Sequence, residues 1–357
     1  MQMKQRLLSL DFFRGLTVAT MILVNNPGSW SYIYPPLEHS KWNGCTPTDL
    51  VFPFFLFMVG VSVTFALSNR KADTASHTKL IIHIFRRALI LFAIGMSFRL
   101  IPSFDFHNVR IPGVLQRIAV VFLIISLLYL KTDSKTRIWL CFSFLVIYYL
   151  LMTVVPVPGF GPANLQPETN LGAWLDRTLL GERHLWKSSR TWDPEGILST
   201  LPAISSGLLG MMTGDWLRRK DKQDAEKVAW LFAAGFLSVI AGLIWDGFFP
   251  INKALWTSSF VLFTGGLAAM GLALSYWLID VQQYKRLTPP FVAYGRNAIT
   301  AYVLSGALPM IFGGIPSAWF MPFLSPVNAS LAAAITLVLL LLIPVWIMYK
   351  RNIIVKI

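Results

Sequence analysis

His39 is the first residue in the chain whose type and setting could do chemistry. An imidazole is a nucleophile and a proton shuttle near neutral pH, and a hydrogen bond to one ring nitrogen decides which nitrogen attacks. The surrounding residues offer partners. Asn25 and Asn26 close one apolar run, Trp42 and Asn43 follow the histidine, and Asp49 opens the next apolar run. Either Asn25 or Asp49 could supply the orienting bond. Asp49 also has a structural reading, because "CTPTDL" sets Thr46 as N-cap, Pro47 at N1 and Asp49 at N3, close to a capping box. "WDPEGILST" repeats the pattern, with Asp193 as cap, Pro194 at N1 and Glu195 at the positive end of a helix dipole. Capping and catalysis can coexist, and an amine arriving at this face must lose a proton. His39, Asn25, Asp49 and Glu195 are therefore the catalytic candidates.

A second set of residues is cationic. Arg14, Arg117 and Arg296 fall within apolar stretches, where a guanidinium costs ~2.5–3.5 kcal/mol on insertion scales and so faces a polar cavity or a partner. Arg14 has Asp11 one turn earlier. Arg117, in "VRIPGVLQR", has no acid nearby in sequence, and snorkelling suits it less well than it suits Arg296. A cationic cavity would hold a polyanionic cofactor, which makes Arg14, Arg117, Arg296 and Asn297 the cofactor-binding candidates. His77, His83, His107 and His184 show no ligand spacing, so no metal site is expected. There is no P-loop, no G-x-G-x-x-G after a strand and no G-x-S-x-G.

Membrane helices must position these groups. The chain of 357 residues is 55% hydrophobic and 13% charged, half the ~25% of a soluble domain. Ten candidate spans lie at about 8–26, 47–68, 83–101, 112–130, 137–155, 196–217, 227–247, 256–279, 291–312 and 330–349. This predicts a single all-α polytopic bundle over 1–357. Most of the 31 Lys and Arg fall in the loops on the side of the N- and C-termini, which the positive-inside rule makes cytoplasmic. The net charge of +14 is thus a topology signal and not a sign of nucleic-acid binding. His39, the segment 102–111, the loop 156–195 and the loop 248–255 then face outward. "NLGAWLDRTLLGERHLW" in the long loop has partial helical periodicity and predicts an interfacial helix. Cys45 and Cys141 fall near opposite faces, so no disulfide is expected, and no cleavable signal peptide is evident.

"LDFFRG", "ILVNN", "HSKWNG", "TDLVFPFFLFMVG", "VRIPGVLQR", "DPEGIL" and "INKALW", in that order, resemble the membrane domain of the heparan-α-glucosaminide N-acetyltransferase family, within the transmembrane acyltransferase superfamily. The resemblance runs over nearly the whole chain. The luminal domain of the animal enzymes has no counterpart here, which suggests a bacterial relative in the inner membrane. The resemblance implies transfer of acetyl from cytoplasmic acetyl-CoA, through a histidine, to a glucosamine-like amino sugar or glycan on the periplasmic side. It maps that histidine to His39, the span-ending asparagine to Asn25 and the aspartate of "TDLVFP" to Asp49. Trp42, Asn43, Asp193, Arg110, Asn252 and Lys253 are the substrate-binding candidates at the same face. "YGRNAI" departs from the pattern, with Arg296 where an uncharged residue is expected. An acetyl-histidine intermediate and direct transfer both fit, and a homodimer is a candidate assembly in the bilayer. The alternative function is a permease for amino sugars, which would use discontinuous helices in two corresponding halves. An assembly scaffold would leave Arg117 without a reason.

Overall fold

The computed structural model describes residues 7–71, 77–101 and 104–355. Lys4, Arg6 and Lys356, part of the basic bias, lie outside these residues, as does the start of segment 102–111. Among the described residues the chain forms twelve α-helices and no β-strand: α1 Leu8–Asn25, α2 Val51–Leu67, α3 His77–Leu100, α4 Val114–Lys131, α5 Ser134–Val154, α6 Leu171–Leu180, α7 Thr200–Leu217, α8 Asp224–Asp246, α9 Ser258–Tyr276, α10 Pro289–Arg296, α11 Ala298–Phe312 and α12 Pro326–Lys350.

Eight of the described helices are long and apolar enough to cross a membrane: α1, α3, α4, α5, α8, α12, and α2 and α9 with their short extensions. The other two expected spans differ. Residues 196–199 are turns rather than helix, and α7 starts at Thr200 with small residues and Asp215 diluting its apolarity. The ninth expected span is broken, because Asn297 leaves helical geometry (φ −123°, ψ 40°) and separates α10 from α11. The span predicted from residue 83 begins earlier, at His77. The predicted loop helix is present as α6, capped by the Asn170 side chain, which accepts from the Ala173 N–H.

Burial sorts the bundle into inner and outer helices. The apolar windows of α1, α2, α4 and α9 are 61% buried, against 28% for α3, α5 and α12 and 17% for α8. On the outer helices Leu89, Trp139, Leu237, Ile244 and Leu339 stand exposed, as expected of side chains that meet lipid. The largest core cluster joins α2, α3, α4, α5 and α7 through Leu56, Ile84, Val121, Ile125, Leu145 and Leu208. Glycine lets the inner helices touch. A Cβ on Gly60 of α2 would strike the Gly207 carbonyl of α7, and one on Gly210 would strike that of Phe57. Gly15 of α1 and Gly295 of α10 meet in the same way.

The Gly28 N–H donates to the Ser330 carbonyl at 3.2 Å, so the end of α1 lies beside the start of α12. The start of α1 and the end of α12 therefore share one end of the bundle. The loops after α1, α3, α5 and α8 gather at the other, where His39 sits.

Candidate active site

The loop between α1 and α2 ends in a short 3₁₀ turn, Pro47–Leu50, that leads into α2. Thr46 and Asp49 form the predicted capping box. The same carboxylate does more than cap. Asp49 Oδ2 accepts from the N–H groups of Ser40 and Thr46, each at 3.0 Å, and from the Thr46 hydroxyl at 3.1 Å. Its Oδ1 lies 2.7 Å from His39 Nδ1. Capping and orienting thus coexist in one fully buried side chain, while the His39 side chain is 48% exposed. A carboxylate only accepts, so the Asp49 contact assigns the proton to His39 Nδ1 and leaves the lone pair of a neutral imidazole on Nε2. Asn25, the other possible partner, is exposed at the end of α1 and makes no side-chain hydrogen bond among the described residues.

The loop before α9 brings the third member. Lys253 Nζ lies 2.9 Å from His39 Nδ1, 3.3 Å from Nε2 and 3.4 Å from Asp49 Oδ1. Burial lowers the Lys253 pKa, against the opposing pull of Asp49 and Glu195. Asn252, expected to bind substrate, is fully buried instead and ties the two loops together. Its Nδ2 donates to Asn43 Oδ1 at 3.1 Å and its Oδ1 accepts from the Leu255 N–H at 2.8 Å. Trp42 donates from its indole to the Leu165 carbonyl at 3.1 Å and meets Trp192 edge-on, which in turn meets Trp186. The three indoles form one edge-to-face chain that links the His39 loop to the segment before α7.

Asp193 and Glu195 do not cap α7, because the helix starts five residues beyond Glu195 with Ser199 at its N-cap. Asp193 Oδ1 accepts from the Glu195 N–H at 3.0 Å, capping the local turn, and both carboxylates bind Arg110. Its Nε donates to Asp193 Oδ2 at 2.8 Å, and its Nη2 donates to Asp193 Oδ1 at 2.6 Å and to Glu195 Oε2 at 2.5 Å. Burial raises the Asp193 carboxyl above its usual range even against Arg110. The Glu195 charge is felt at Lys253, which links this ion-paired group to the histidine. Arg110, a substrate-binding candidate, is thus engaged by two carboxylates.

The cationic candidates divide. Arg117 is wholly buried at the His39 end, over the Trp256 ring at 5.3 Å, donating to the Gly196 carbonyl at 2.9 Å and to Ser199 Oγ at 2.5 Å. It braces the Asp193–Ser199 turn from behind and does not join the other two arginines. Arg14, Arg296 and Asn297 do come together, around the helix break nearer the termini. Arg14 donates to Ser62 Oγ at 2.7 Å, to the Gly295 carbonyl at 3.2 Å and to Asp11 at 3.4 Å. Arg296 lies over the Tyr349 ring, and Asn297 donates to the Ile353 carbonyl at 3.1 Å. Arg87, which lies within the expected span 83–101 but was not among the cofactor-binding candidates, belongs with this group. It lies inside α3 over Phe122, close enough to Arg14 for their charges to repel, with a buried Nε that has no partner among the described residues. The signal was there: an arginine within an apolar run.

Sequence reading also missed Asp176 of α6. It is buried, accepts from the Ile197 N–H at 2.8 Å, and burial pushes its carboxyl up to about 7. Cys45, beside the histidine loop, is a free thiol that burial raises to about 12, so it is no nucleophile at neutral pH. Among the described residues no three His, Cys, Asp or Glu side chains gather as metal ligands.

Fold and site together define an integral membrane protein built around a carboxylate-oriented histidine at one end of a helical bundle. Comparison with known proteins narrows this. The family model for the catalytic region of heparan-alpha-glucosaminide N-acetyltransferase matches residues 6–244, and the chain belongs to that family. A second family model, of unknown function (DUF418), matches residues 211–352. Heparan-alpha-glucosaminide N-acetyltransferase of Mus musculus is 32% identical over 351 aligned residues, covering 84% of this chain and 53% of the mouse protein. The Homo sapiens protein of the same name is 32% identical over 352 residues, covering 84% of this chain and 52% of its own length. The chain thus spans about half the length of the curated relatives it matches.

Proposed function

We propose that the chain is a transmembrane N-acetyltransferase, taking acetyl from acetyl-CoA at the end of the bundle bearing the termini and delivering it to a glucosamine-like amine at the His39 end. The observation that carries this reading is the 2.7 Å contact between His39 Nδ1 and buried Asp49. It leaves Nε2 as an unprotonated nucleophile on a half-exposed ring. Nε2 adds to the thioester carbonyl, the CoA thiolate leaves, and an Nε2-acetyl-imidazolium results, its Nδ1 proton held toward Asp49. The acceptor arrives as a neutral amine, adds to that carbonyl and gives up one proton to solvent, and neutral imidazole leaves as the amide forms. Coenzyme A is polyanionic and cannot cross the bilayer, whereas acetyl is small and neutral. Arg14, Arg87, Arg296 and Asn297 would hold the donor's phosphates, since cations inside spans call for a polar or anionic partner. The Trp42–Trp192–Trp186 indoles and the Asp193 and Glu195 carboxylates suit a sugar ring that carries an amine.

The basic loops support termini in the cytoplasm, and a bacterial inner membrane is the setting we infer. A permease would call for matched broken helices in two halves. The α10–α11 break has no mid-span counterpart among the described residues.

The test is acetyl transfer by purified protein in liposomes, with radiolabelled acetyl-CoA on one side and a panel of amino sugars on the other. Labelled N-acetyl sugar on the far side supports the reading. Uptake of intact sugar with no acetylation overturns it in favour of transport.

A further inference from the structure

Lys253 is held too firmly for a surface lysine. The Gly44 N–H donates to the Ile251 carbonyl at 2.7 Å, and Asn252 bonds Asn43. The Asn252 side chain closes a tight turn onto Leu255, and Thr257 Oγ1 accepts from the Asn252 N–H at 3.0 Å. Trp256 then takes left-handed geometry (φ 54°), costly for a bulky residue, so that its ring can bury between Phe52 and Phe260 with its indole N–H on Ser206. The whole "INKALW" segment is a bracket, and what it presents to His39 is one ammonium.

We infer that Lys253 is a positioning residue whose positive charge offsets Asp49 at the imidazole, so that His39 keeps an unprotonated Nε2 and carries acetyl instead of holding a proton. This rests on the proposed acetyl transfer through His39. A carboxylate beside a histidine favours imidazolium, and imidazolium has no lone pair to attack a thioester. An ammonium near both ring nitrogens disfavours it. The charged groups around the ring are Asp49 from the turn before α2, Lys253 from the loop before α9, and Glu195 acting through Lys253 from the turn before α7. Glu38 and Lys41 on the histidine's own loop are exposed. The neutral Cys45 thiol adds no charge.

The experiment measures the pH profile of kcat/KM for acetyl transfer to glucosamine in the wild type and in Lys253→Met, Lys253→Gln and Lys253→Arg. Two neutral variants are included so that a folding failure of one leaves the other readable, and thermal stability and acetyl-CoA binding report folding. Removing the charge favours the protonated ring, so the acid limb should move to higher pH by ~1–3 units in the neutral variants. Activity lost at neutral pH should return at alkaline pH. Lys253→Arg should keep the wild-type limb even if its rate falls, because charge survives while fit does not. A uniform drop at every pH, with the acid limb in place, overturns the inference and makes Lys253 a substrate contact or a structural prop. The acetyltransferase reading survives that result provided that wild-type turnover depends on His39. Absence of transfer by the wild type at any pH sinks both.

Discussion

Replacing Asp49 with Asn tests the site most directly, because it changes a charge and a donor pattern but hardly any volume. The carboxylate accepts four hydrogen bonds, three on Oδ2 and one on Oδ1 from His39. An amide keeps one acceptor oxygen, and three donors already converge on the Oδ2 position. The oxygen therefore stays there, the capping box survives, and the new NH₂ points at His39 Nδ1. An NH₂ cannot accept the Nδ1 proton, so the imidazole moves its proton to Nε2 and masks the nucleophile. Loss of a charge-assisted bond should cost about 1.5–3 kcal/mol of stability. The wrong tautomer should cost far more in rate, ~10²–10⁴-fold. Turnover with acetyl-CoA and glucosamine, set against a thermal melt in the same detergent, separates the two effects. Residual activity should rise with pH, since the acceptor amine must shed its proton before attacking. If Asp49→Asn turns over within tenfold of wild type while melting a few degrees lower, Asp49 is only a cap and the tautomer argument is wrong.

His39→Ala should abolish acetyl transfer yet bind acetyl-CoA nearly normally, since the cationic residues lie toward the other end of the bundle; a tenth of wild-type turnover would rule His39 out as nucleophile. Arg87→Ala should weaken acetyl-CoA binding by ~1–3 kcal/mol, measured by titration calorimetry, and unchanged affinity in a folded protein would make Arg87 structural. Arg117→Ala should instead destabilise the fold by ~1–3 kcal/mol, because it leaves the buried Gly196 carbonyl and Ser199 hydroxyl without their donor, with little change in acetyl-CoA affinity for whatever protein folds. Asp176 has a folded pKa of about 7 against an ordinary 3.8, so near pH 5 the folded state holds a proton that the unfolded state has lost. Its stability contribution is complete below about 3.8 and disappears as pH rises through about 7. Asp176→Asn should therefore raise the melting temperature relative to wild type at pH 8 but not at pH 4, and a pH-independent difference would show that the carboxyl does not titrate there.

Hydropathy made the membrane bundle legible because lipid imposes one rule along the chain: each span must be apolar for its full length and satisfy its own backbone. The capping box at Thr46–Asp49 and the loop helix α6 were legible for the same local reason, as nearby residues decide them. The family motifs pointed to His39 before any geometry did. What a linear reading could not supply is which charges meet. Asp193 and Glu195 have the spacing of a helix cap, and Asp193 does cap its local turn, yet both also take a buried Arg110 from a distant loop. Arg14 and Arg117 look alike as arginines in apolar runs, yet packing sends one to the helix break at Asn297 and the other beneath the Gly196 turn. Lys253 lies more than two hundred residues from His39, and only the bracket of Asn43, Gly44, Ile251 and Asn252 sets its ammonium on the ring. Helix formation and capping are local, so neighbouring residues determine them. Pairing of charges in a low-dielectric interior is decided by tertiary contacts, because a buried charge takes whichever partner the packed helices bring within reach.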